Sequence, residues 1–427
     1  MGISAKLRVL MHSSGFKRFF AIRLLCQSGD GMFQAALATL FFFSAQSQGS
    51  PGAIALALFA MLAPFTIVGP FVGVFIDRWP RRNIIVVTDS IRLALTVLIV
   101  IAIVTSGITP VVYVIAMLAL ALNRFLLAAL GASLPRVVSS EQLLLANSIL
   151  PTIGAAATGI GALVGVMLGL VLPVGNARDA ATLALAGVVF ASSIVVALGF
   201  GRDELGPTHH ELTNSEKLSV GGVLRELVAA GRVLVELNSP ARALLTMGAM
   251  RFLYGVVFVA SILLARNYFA TGSETGIGSF AQIIAATAVG FGLAIVITPF
   301  VVEAVGEHRW IQLCMLVSAL AMVVISIKLT PVTMLIAALM LGVGTQGAKI
   351  AFDTIIQQDT PDDYRGRAFL FYDLLFNIAF MTAGGVCALV LPDNGIAPVV
   401  FALVGVGFIA LALQYRGSRR VLVSEVI

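Results

Sequence analysis

The chain has 427 residues, of which 59% are hydrophobic and only 11% are charged, and its formal net charge is +6. A water-soluble fold cannot bury so much apolar surface, so the composition excludes a soluble globular protein and indicates that a lipid bilayer is the solvent. The apolar stretches are continuous rather than alternating, which also excludes a closed β-barrel.

Stretches long enough to cross a bilayer, which takes about 20 apolar residues, follow one another along almost the whole chain. Little sequence is left over, so no large soluble domain is expected. We predict an all-α membrane protein with twelve transmembrane helices, at residues 19–45, 52–76, 84–106, 110–133, 147–172, 179–200, 241–268, 276–302, 310–329, 331–356, 367–391 and 396–415.

The twelve predicted spans divide into two groups of six. Residues 1–200 form the first six-helix half, residues 241–427 form the second, and the polar stretch 201–240 links them. Within this linker, apolar and charged residues alternate over 220–237 with the period of a helix. That pattern predicts an amphipathic helix on the membrane surface.

Basic residues of the loops and of the adjoining span ends are concentrated on one side of the membrane. If the N-terminus is cytoplasmic, the outer loops and the span ends next to them hold only Arg178, Arg266 and Lys328. Because cytoplasmic loops are rich in Lys and Arg, we predict a multi-pass protein of the cell membrane with both termini in the cytoplasm. Contact with anionic lipid head groups accounts for the net positive charge, so no nucleic-acid partner is expected.

The connection between the second and third spans carries a charged motif made of Gly73, Asp77, Arg78, Arg81 and Arg82. It resembles motif A of the major facilitator superfamily, in which a glycine precedes an Asp-Arg pair and a basic pair follows. The resemblance implies a major facilitator fold of two pseudo-symmetric six-helix bundles. It also implies that these residues form a gate that latches the two halves on the cytoplasmic side. The alternative is that the loop only sets the topology.

Two further residues extend the resemblance into the third span. Asp89 and Arg92 are three residues apart and therefore lie on one helix face. Together with the motif they resemble the twelve-helix exporter branch, which includes drug, macrolide and siderophore exporters. We assign both residues, and Asp353 in the tenth span, to the same cytoplasmic gate. Pro80 stands where the family usually has glycine.

Two shorter stretches, 134–147 and 358–367, resemble the loops after the fourth and tenth spans of the same branch. An internal repeat supports the division into halves, because an offset of 226 residues aligns Asp77 with Glu303 and Pro135 with Pro361. Each pair falls at the same kind of helix end. Parallel repeats of this kind are expected for the superfamily fold.

Ionisable residues inside a membrane span are costly and therefore mark candidate sites. Asp30, Arg124, Arg251 and Lys349 fall in the first, fourth, seventh and tenth spans, which line the central cavity in the superfamily fold. Burial and a nearby cation act on the proton affinity of a carboxyl group in opposite directions. We hypothesise that Asp30 carries the coupling proton and that Arg124 or Arg251 biases it. The alternative is a static ion pair that holds helices together.

The predicted cavity is lined mainly by apolar side chains, which suits a bulky hydrophobic compound better than a sugar. The candidate substrate contacts are Phe33, Asn123, Tyr254, Lys349 and Asn377. Lys349 is also four residues from Asp353 on one helix face, so the two are expected to interact either as an inner-gate pair or as part of the substrate site.

These features favour a secondary active transporter that exports amphipathic or lipophilic small molecules by alternating access, with the proton gradient as energy source and no cofactor. The sequence holds no P-loop and no nucleophile–base pattern, so neither ATP hydrolysis nor enzymatic activity is expected. The expected partners are an amphipathic substrate, protons and the lipid bilayer, and the protein is expected to be a monomer. Two alternatives stay open: a lipid or lysolipid flippase, and a non-transporting membrane sensor or interaction protein.

Overall fold

The computed structural model describes residues 11, 13–43, 49–72, 79–172, 176–206, 220–270 and 276–415. These residues form thirteen α-helices and no β-strand. In chain order the helices are α1 Ser14–Ala38, α2 Pro51–Val68, α3 Arg81–Ser106, α4 Pro110–Val137, α5 Ser140–Val171, α6 Asn176–Leu198, α7 Val220–Leu237, α8 Ser239–Asn267, α9 Ile277–Val305, α10 Glu307–Ile327, α11 Pro331–Asp359, α12 Asp362–Val390 and α13 Pro398–Gln414.

Ten of the described helical stretches are long and apolar enough to cross a membrane. They lie in α2–α6 and α8–α12. Two more helices complete the predicted set of twelve: α1, which carries charged residues such as Lys17 and Arg23 near its start, and α13, which is apolar but has only 17 residues. The remaining helix, α7, occupies the predicted amphipathic segment of the linker.

The first helix ends in a turn that is wider than an α-helical turn, and the second ends in one that is tighter. α1 continues into a π-helical turn at Thr39–Phe43, whose last four residues are buried. α2 continues into a 3₁₀ turn at Gly69–Phe71. The predicted ends of these two spans, at 45 and 76, lie outside the described residues.

Two of the predicted loops are largely helical. Only residues 138 and 139 separate α4 from α5, and only Thr360 and Pro361 separate α11 from α12. The predicted starts of these spans, at 147 and 367, are therefore wrong by several residues. The cause is that hydropathy marks the apolar part of a helix, whereas backbone hydrogen bonding continues through its polar first turns.

The chain divides into two compact units, of residues 1–47 and 67–223 and of residues 48–66 and 224–427. In the first unit, α1 packs against α5 and α6, and α3 packs against α4 and α6. In the second unit, α8 packs against α11 and α12, α11 also packs against α9 and α10, and α10 packs against α13. The first span of each half thus contacts the fifth, and the third contacts the sixth, as the internal repeat predicts.

The linker helix α7 is attached to the second unit. Its Glu226 accepts a hydrogen bond of 2.8 Å from Arg367 at the start of α12, and the two residues form an ion pair. A Cβ atom added at Gly231 would lie 3.4 Å from the ring of Phe371. The division of the chain into 1–200, 201–240 and 241–427 stays a prediction.

Glycines allow two helix pairs to approach until backbone touches backbone. In the first unit, a Cβ atom added at Gly31 of α1 would overlap the carbonyl oxygen of Thr158, and one at Gly161 of α5 would overlap that of Ser28. In the second unit, Gly290 of α9 meets the carbonyl oxygen of Leu339 on α11 in the same way. The hydrophobic effect does not drive helix association in lipid, so close van der Waals packing at small residues stabilises such crossings.

Candidate functional site

The first unit contains a buried charge cluster, which we define as Asp30 of α1 together with Asp89 and Arg92 of α3. The guanidinium of Arg92 forms an ion pair with Asp30, and its Nη1 lies 3.2 Å from Oδ1 of Asp89. The relative exposures of Asp30, Asp89 and Arg92 are 3%, 0% and 1%. Two carboxyl groups thus share the guanidinium of Arg92 at a site that is almost closed to water.

Polar groups on neighbouring helices complete the surroundings of the cluster. The thiol of Cys26 donates a hydrogen bond of 3.3 Å to Oδ2 of Asp89 and lies 3.0 Å from Oγ of Ser193. The side chain of Asn123 on α4 lies beside the carboxyl group of Asp30. Four helices of the first unit, α1, α3, α4 and α6, therefore contribute to one polar network.

An aromatic ring covers the cation of the cluster. The Cζ atom of Arg92 lies 4.0 Å from the ring centroid of Phe190 on α6, a distance at which a cation is attracted to the ring face. Gly29 makes room for this ring, because a Cβ atom there would lie 2.7 Å from Phe190. The residue before Asp30 is thus constrained by the packing of the cluster.

The charges of the cluster do not balance when all three groups are ionised. Two carboxylates facing one guanidinium leave one negative charge in excess. An uncompensated charge away from water costs several kcal/mol, of the order of 3–5 kcal/mol. One bound proton removes that excess, so the arrangement is suited to hold and release a single proton.

The structure groups the predicted residues differently from the sequence. Arg92, which we assigned to a gate together with Asp89, forms ion pairs with both Asp89 and Asp30. The gate role of the two residues stays a prediction. The cation at Asp30 is Arg92, whereas Arg124 is half-buried on α4 and Arg251 belongs to the second unit. The spacing of Asp89 and Arg92 placed them on one helix face, but nothing in the sequence pointed to the contact of Arg92 with Asp30.

Other predicted residues of the first unit also occupy defined positions. Phe33 is 1% exposed and packs with its ring centroid 6.2 Å from that of Phe190. Asn123 is buried, and its Oδ1 has no hydrogen-bond partner among the described residues. Of the motif residues, Gly73, Asp77 and Arg78 lie outside the described residues.

The basic pair of the motif lies at the start of α3. The backbone N–H of Arg81 donates to the carbonyl of Gly206 at 2.8 Å, and its Nη1 donates to the carbonyl of Ala132 on α4 at 2.9 Å. Nη1 of Arg82 lies 3.1 Å from Oδ1 of Asn83. Arg81 thus joins the start of α3 to the end of α4 and to the segment that follows α6.

The second unit contains an aromatic–cation group, which we define as Arg251 and Tyr254 of α8 with Tyr372 and Phe376 of α12. The Cζ atom of Arg251 lies 4.4 Å from the ring centroid of Phe376 and 5.8 Å from that of Tyr254. Tyr372 lies beside the same guanidinium. Arg251 is 8% exposed, and no carboxylate of the described residues lies within ion-pair distance of it.

A neighbouring cation in the same unit is neutralised. Nζ of Lys349 lies 2.6 Å from Oδ2 of Asp353, one helical turn further along α11. The expected contact between these two residues is confirmed. Nζ of Lys349 also lies 5.5 Å from the ring of Tyr372, so this ion pair adjoins the aromatic–cation group. Asn377, the last predicted substrate contact, is buried on α12.

A small cavity of about 20 Å³ lies beside Tyr254 in the second unit. Its walls are mostly apolar, with the hydroxyls of Ser261 and Thr287 as polar exceptions. Among the described residues no set of three or more His, Cys, Asp or Glu side chains could hold a metal ion, and the cysteines Cys26, Cys314 and Cys387 are free and buried.

No protein-family model matches the chain. Two curated proteins are similar to it over nearly their whole length: uncharacterized MFS-type transporters of Mycobacterium tuberculosis and of Mycobacterium bovis. Each is 32% identical over 391 residues, which cover 91% of this chain and 88% of the relative.

Solved transporter structures share the arrangement of the helices. A mutant of the nucleoside transporter NupG aligns over 93% of this chain and 97% of its own, with a TM-score of 0.67 and 12% identity. A POT family transporter in complex with 5-aminolevulinic acid aligns over 94% and 95%, with a TM-score of 0.66 and 11% identity. The xylose transporter XylE from E. coli aligns over 93% and 97%, with a TM-score of 0.59 and 13% identity. At these identities the similarity concerns the fold alone.

Proposed function

The chain belongs to the MFS-type transporters, and on that premise we propose that it exports amphipathic small molecules in exchange for protons. The major facilitator fold predicted from the sequence is confirmed by the solved structures, and it is the fold of a multi-pass membrane protein. Transport by alternating access needs no covalent chemistry. The exporter branch, the cell membrane as location and the cytoplasmic termini belong to this proposal and rest on the resemblance and the charge distribution described above.

The buried charge cluster is the observation that carries the proposal. Asp30 and Asp89 share one guanidinium in a site that is almost closed to water. A site with one acid more than its cation can compensate gains a proton when it is closed off and loses it when water or a cation reaches it. Proton exchange from opposite sides in two conformations is what proton coupling requires.

Asp30 is the member of the cluster that we assign to the proton. It lies on α1, which corresponds to a cavity-lining helix in the superfamily fold, and only this acid is joined to Arg92 across two helices. Asp89 is tied to Arg92 within one helix and also to Cys26. A carboxyl group held by fewer local contacts changes its surroundings more readily when helices move.

The test is proton movement in liposomes that contain the purified protein and a trapped pH-sensitive dye. A panel of anionic, cationic and neutral amphipaths is added from outside. We expect at least one compound to drive proton movement through the wild-type protein, and Asp30→Asn to abolish that movement while the protein still binds the compound.

Asp179→Asn is the matched control. Asp179 is also buried in the first unit and ion-paired, with its Oδ1 3.1 Å from Nε of Arg178, but it lies outside the cluster. Coupling should survive in this variant. Compound uptake by the wild type without any proton movement, or unchanged coupling in Asp30→Asn, would contradict the proposal.

A further inference from the structure

The second unit holds a buried cation that forms no ion pair with an acid among the described residues. Arg251 is 8% exposed, and the carboxylate of Asp353 in the same unit is already paired with Lys349 at 2.6 Å. Counting Arg251, Lys349 and Asp353 as ionised leaves one positive charge in excess. Because an uncompensated charge away from water is costly, a bound anion would offset the excess of these three residues when the site is closed.

The surroundings of Arg251 fit an aromatic or otherwise apolar body next to that negative charge. Phe376 stacks on Phe380 with ring centroids 5.5 Å apart, and Tyr254 and Phe258 meet Phe380 edge-on at 5.8 and 5.7 Å. The rings form one continuous cluster that begins at the guanidinium and ends at the small cavity beside Tyr254. A ligand pocket of this kind is mostly apolar with one polar group that fixes orientation.

We infer that the transported compound carries a carboxylate, sulfonate or phosphate group, which binds the guanidinium of Arg251 while its apolar part lies on this aromatic cluster. The inference deepens the proposed function, on which it rests, by naming the substrate class: anionic amphipaths rather than lipophilic cations. Arg is suited to this role because its planar guanidinium offers two parallel donors to a carboxylate or phosphate and also stacks on aromatic rings.

The test is binding, which needs neither a gradient nor transport. The probes are three compounds with one naphthalene ring: 1-naphthylacetate, 1-naphthylmethylammonium and the neutral 1-naphthaleneethanol. Calorimetric titration of the full chain in a nonionic detergent should show tighter binding of naphthylacetate than of the other two. Arg251→Gln should weaken naphthylacetate binding about 10-fold or more, as expected for a charge-assisted hydrogen bond, and should leave the neutral probe unchanged.

Two variants separate recognition of charge from a structural role. Arg251→Lys keeps the charge and should retain part of the affinity for naphthylacetate. Arg266→Gln removes an arginine from the same helix, about 22 Å further along it, and should bind like the wild type. If Arg251 were only structural, Arg251→Gln would lower the thermal midpoint of the ligand-free protein, whereas the loss of an uncompensated buried charge should leave it unchanged or raise it.

The anionic group could belong to a free compound or to a lipid head group, and a second arm distinguishes the two. Titrations are repeated in nanodiscs of phosphatidylcholine with and without phosphatidylglycerol. If phosphatidylglycerol weakens naphthylacetate binding to the wild type but not to Arg251→Gln, the natural anion is a lipid head group. If phosphatidylglycerol does not compete, the natural anion is a free compound. Either result supports the site.

Equal affinity of the wild type for the anionic and cationic probes, no binding of naphthylacetate at millimolar concentration, or naphthylacetate binding that is unchanged in Arg251→Gln would overturn the inference. Its failure is distinguishable from that of the proposed function. Proton-coupled movement of a cationic probe would support proton coupling and contradict only the anionic substrate class. Arg251-dependent binding without proton movement would support the anionic substrate class and contradict proton coupling.

Discussion

Arg92 of α3 forms an ion pair with Asp30 of α1, 62 residues away in the chain, and so joins two helices of the first unit through one buried contact. The same guanidinium also holds Asp89, three residues earlier on its own helix. Removing the cation therefore strands two acids, whereas removing either acid brings the charges of the cluster into balance. The cluster is asymmetric in how it tolerates substitution.

This asymmetry predicts the outcome of a double-mutant cycle. Arg92→Met should destabilise the protein by about 3–5 kcal/mol, because it breaks a buried pair from the cation side. Adding Asp30→Asn to Arg92→Met should restore part of the loss, and Asp30→Asn alone should cost less than Arg92→Met. Thermal unfolding of the purified variants in one detergent measures the order of the midpoints. An effect of Asp30→Asn on the midpoint that is the same with Arg and with Met at position 92 would show that the two residues do not interact.

The crossing of α1 and α5 predicts opposite effects for two glycines that are two residues apart on α5. A Cβ atom at Gly161 would overlap the carbonyl oxygen of Ser28, whereas one at Gly159 meets nothing within 4 Å. Gly161→Ala should therefore destabilise the protein by about 2 kcal/mol or more through overpacking. Gly159→Ala should be neutral or stabilising by about 0.5–1 kcal/mol, since alanine is the better helix former.

The yield of monodisperse protein and the thermal midpoint measure both variants of α5. The second unit repeats the comparison, because Gly290 of α9 is blocked by the carbonyl of Leu339 while Gly292 is open. A tolerated alanine at Gly161 together with a harmful one at Gly159 would mean that α1 and α5 do not cross as described.

The hydrogen bonds of Arg81 predict how two substitutions change the thermal midpoint. Gly206 has a φ of 67°, a conformation that costs other residues about 1 kcal/mol, and its carbonyl accepts the backbone N–H of Arg81. Gly206→Ala should lower the thermal midpoint modestly. Arg81→Gln should lower it as well, because the carbonyl of Ala132 loses its donor.

If Arg81 also serves the predicted gate, Arg81→Gln should reduce transport more than Gly206→Ala does at matched stability. Transport activity that falls in proportion to stability in both variants would assign Arg81 a purely structural role. Gly201→Ala provides a nearby control, since Gly201 lies in the same segment and a Cβ atom there meets nothing closer than 3.5 Å.

The fold followed from the sequence because hydrophobic length is a strong signal in a membrane protein, but helix ends did not. Residues 140–146 continue α5 although they include Glu141 and Gln142, and residues 362–366 continue α12 although they include Asp362 and Arg365. Hydropathy reports which part of a helix faces lipid, and a polar turn that extends beyond it is invisible to that measure.

Contacts within one helix could be predicted, and contacts between helices could not. The spacing of Lys349 and Asp353 predicted a pair that the structure contains, and the spacing of Asp89 and Arg92 placed on one helix face two residues that are ion-paired. The approach of Arg92 to Asp30 depends on how α1 and α3 are arranged in the unit, which no local pattern encodes. The absence of an acidic partner for Arg251 among the described residues has the same origin.

The π-helical turn Thr39–Phe43 at the end of α1 changes how that span should be read. A turn of this type closes each hydrogen bond over one residue more than an α-turn does, so its residues advance by a smaller angle about the helix axis than those of an α-helix. Phe41 stacks on Tyr113 of α4 at 4.2 Å within this turn. A helical wheel that advances by about 100° per residue therefore gives the wrong direction for the four buried residues of this turn, Leu40 to Phe43.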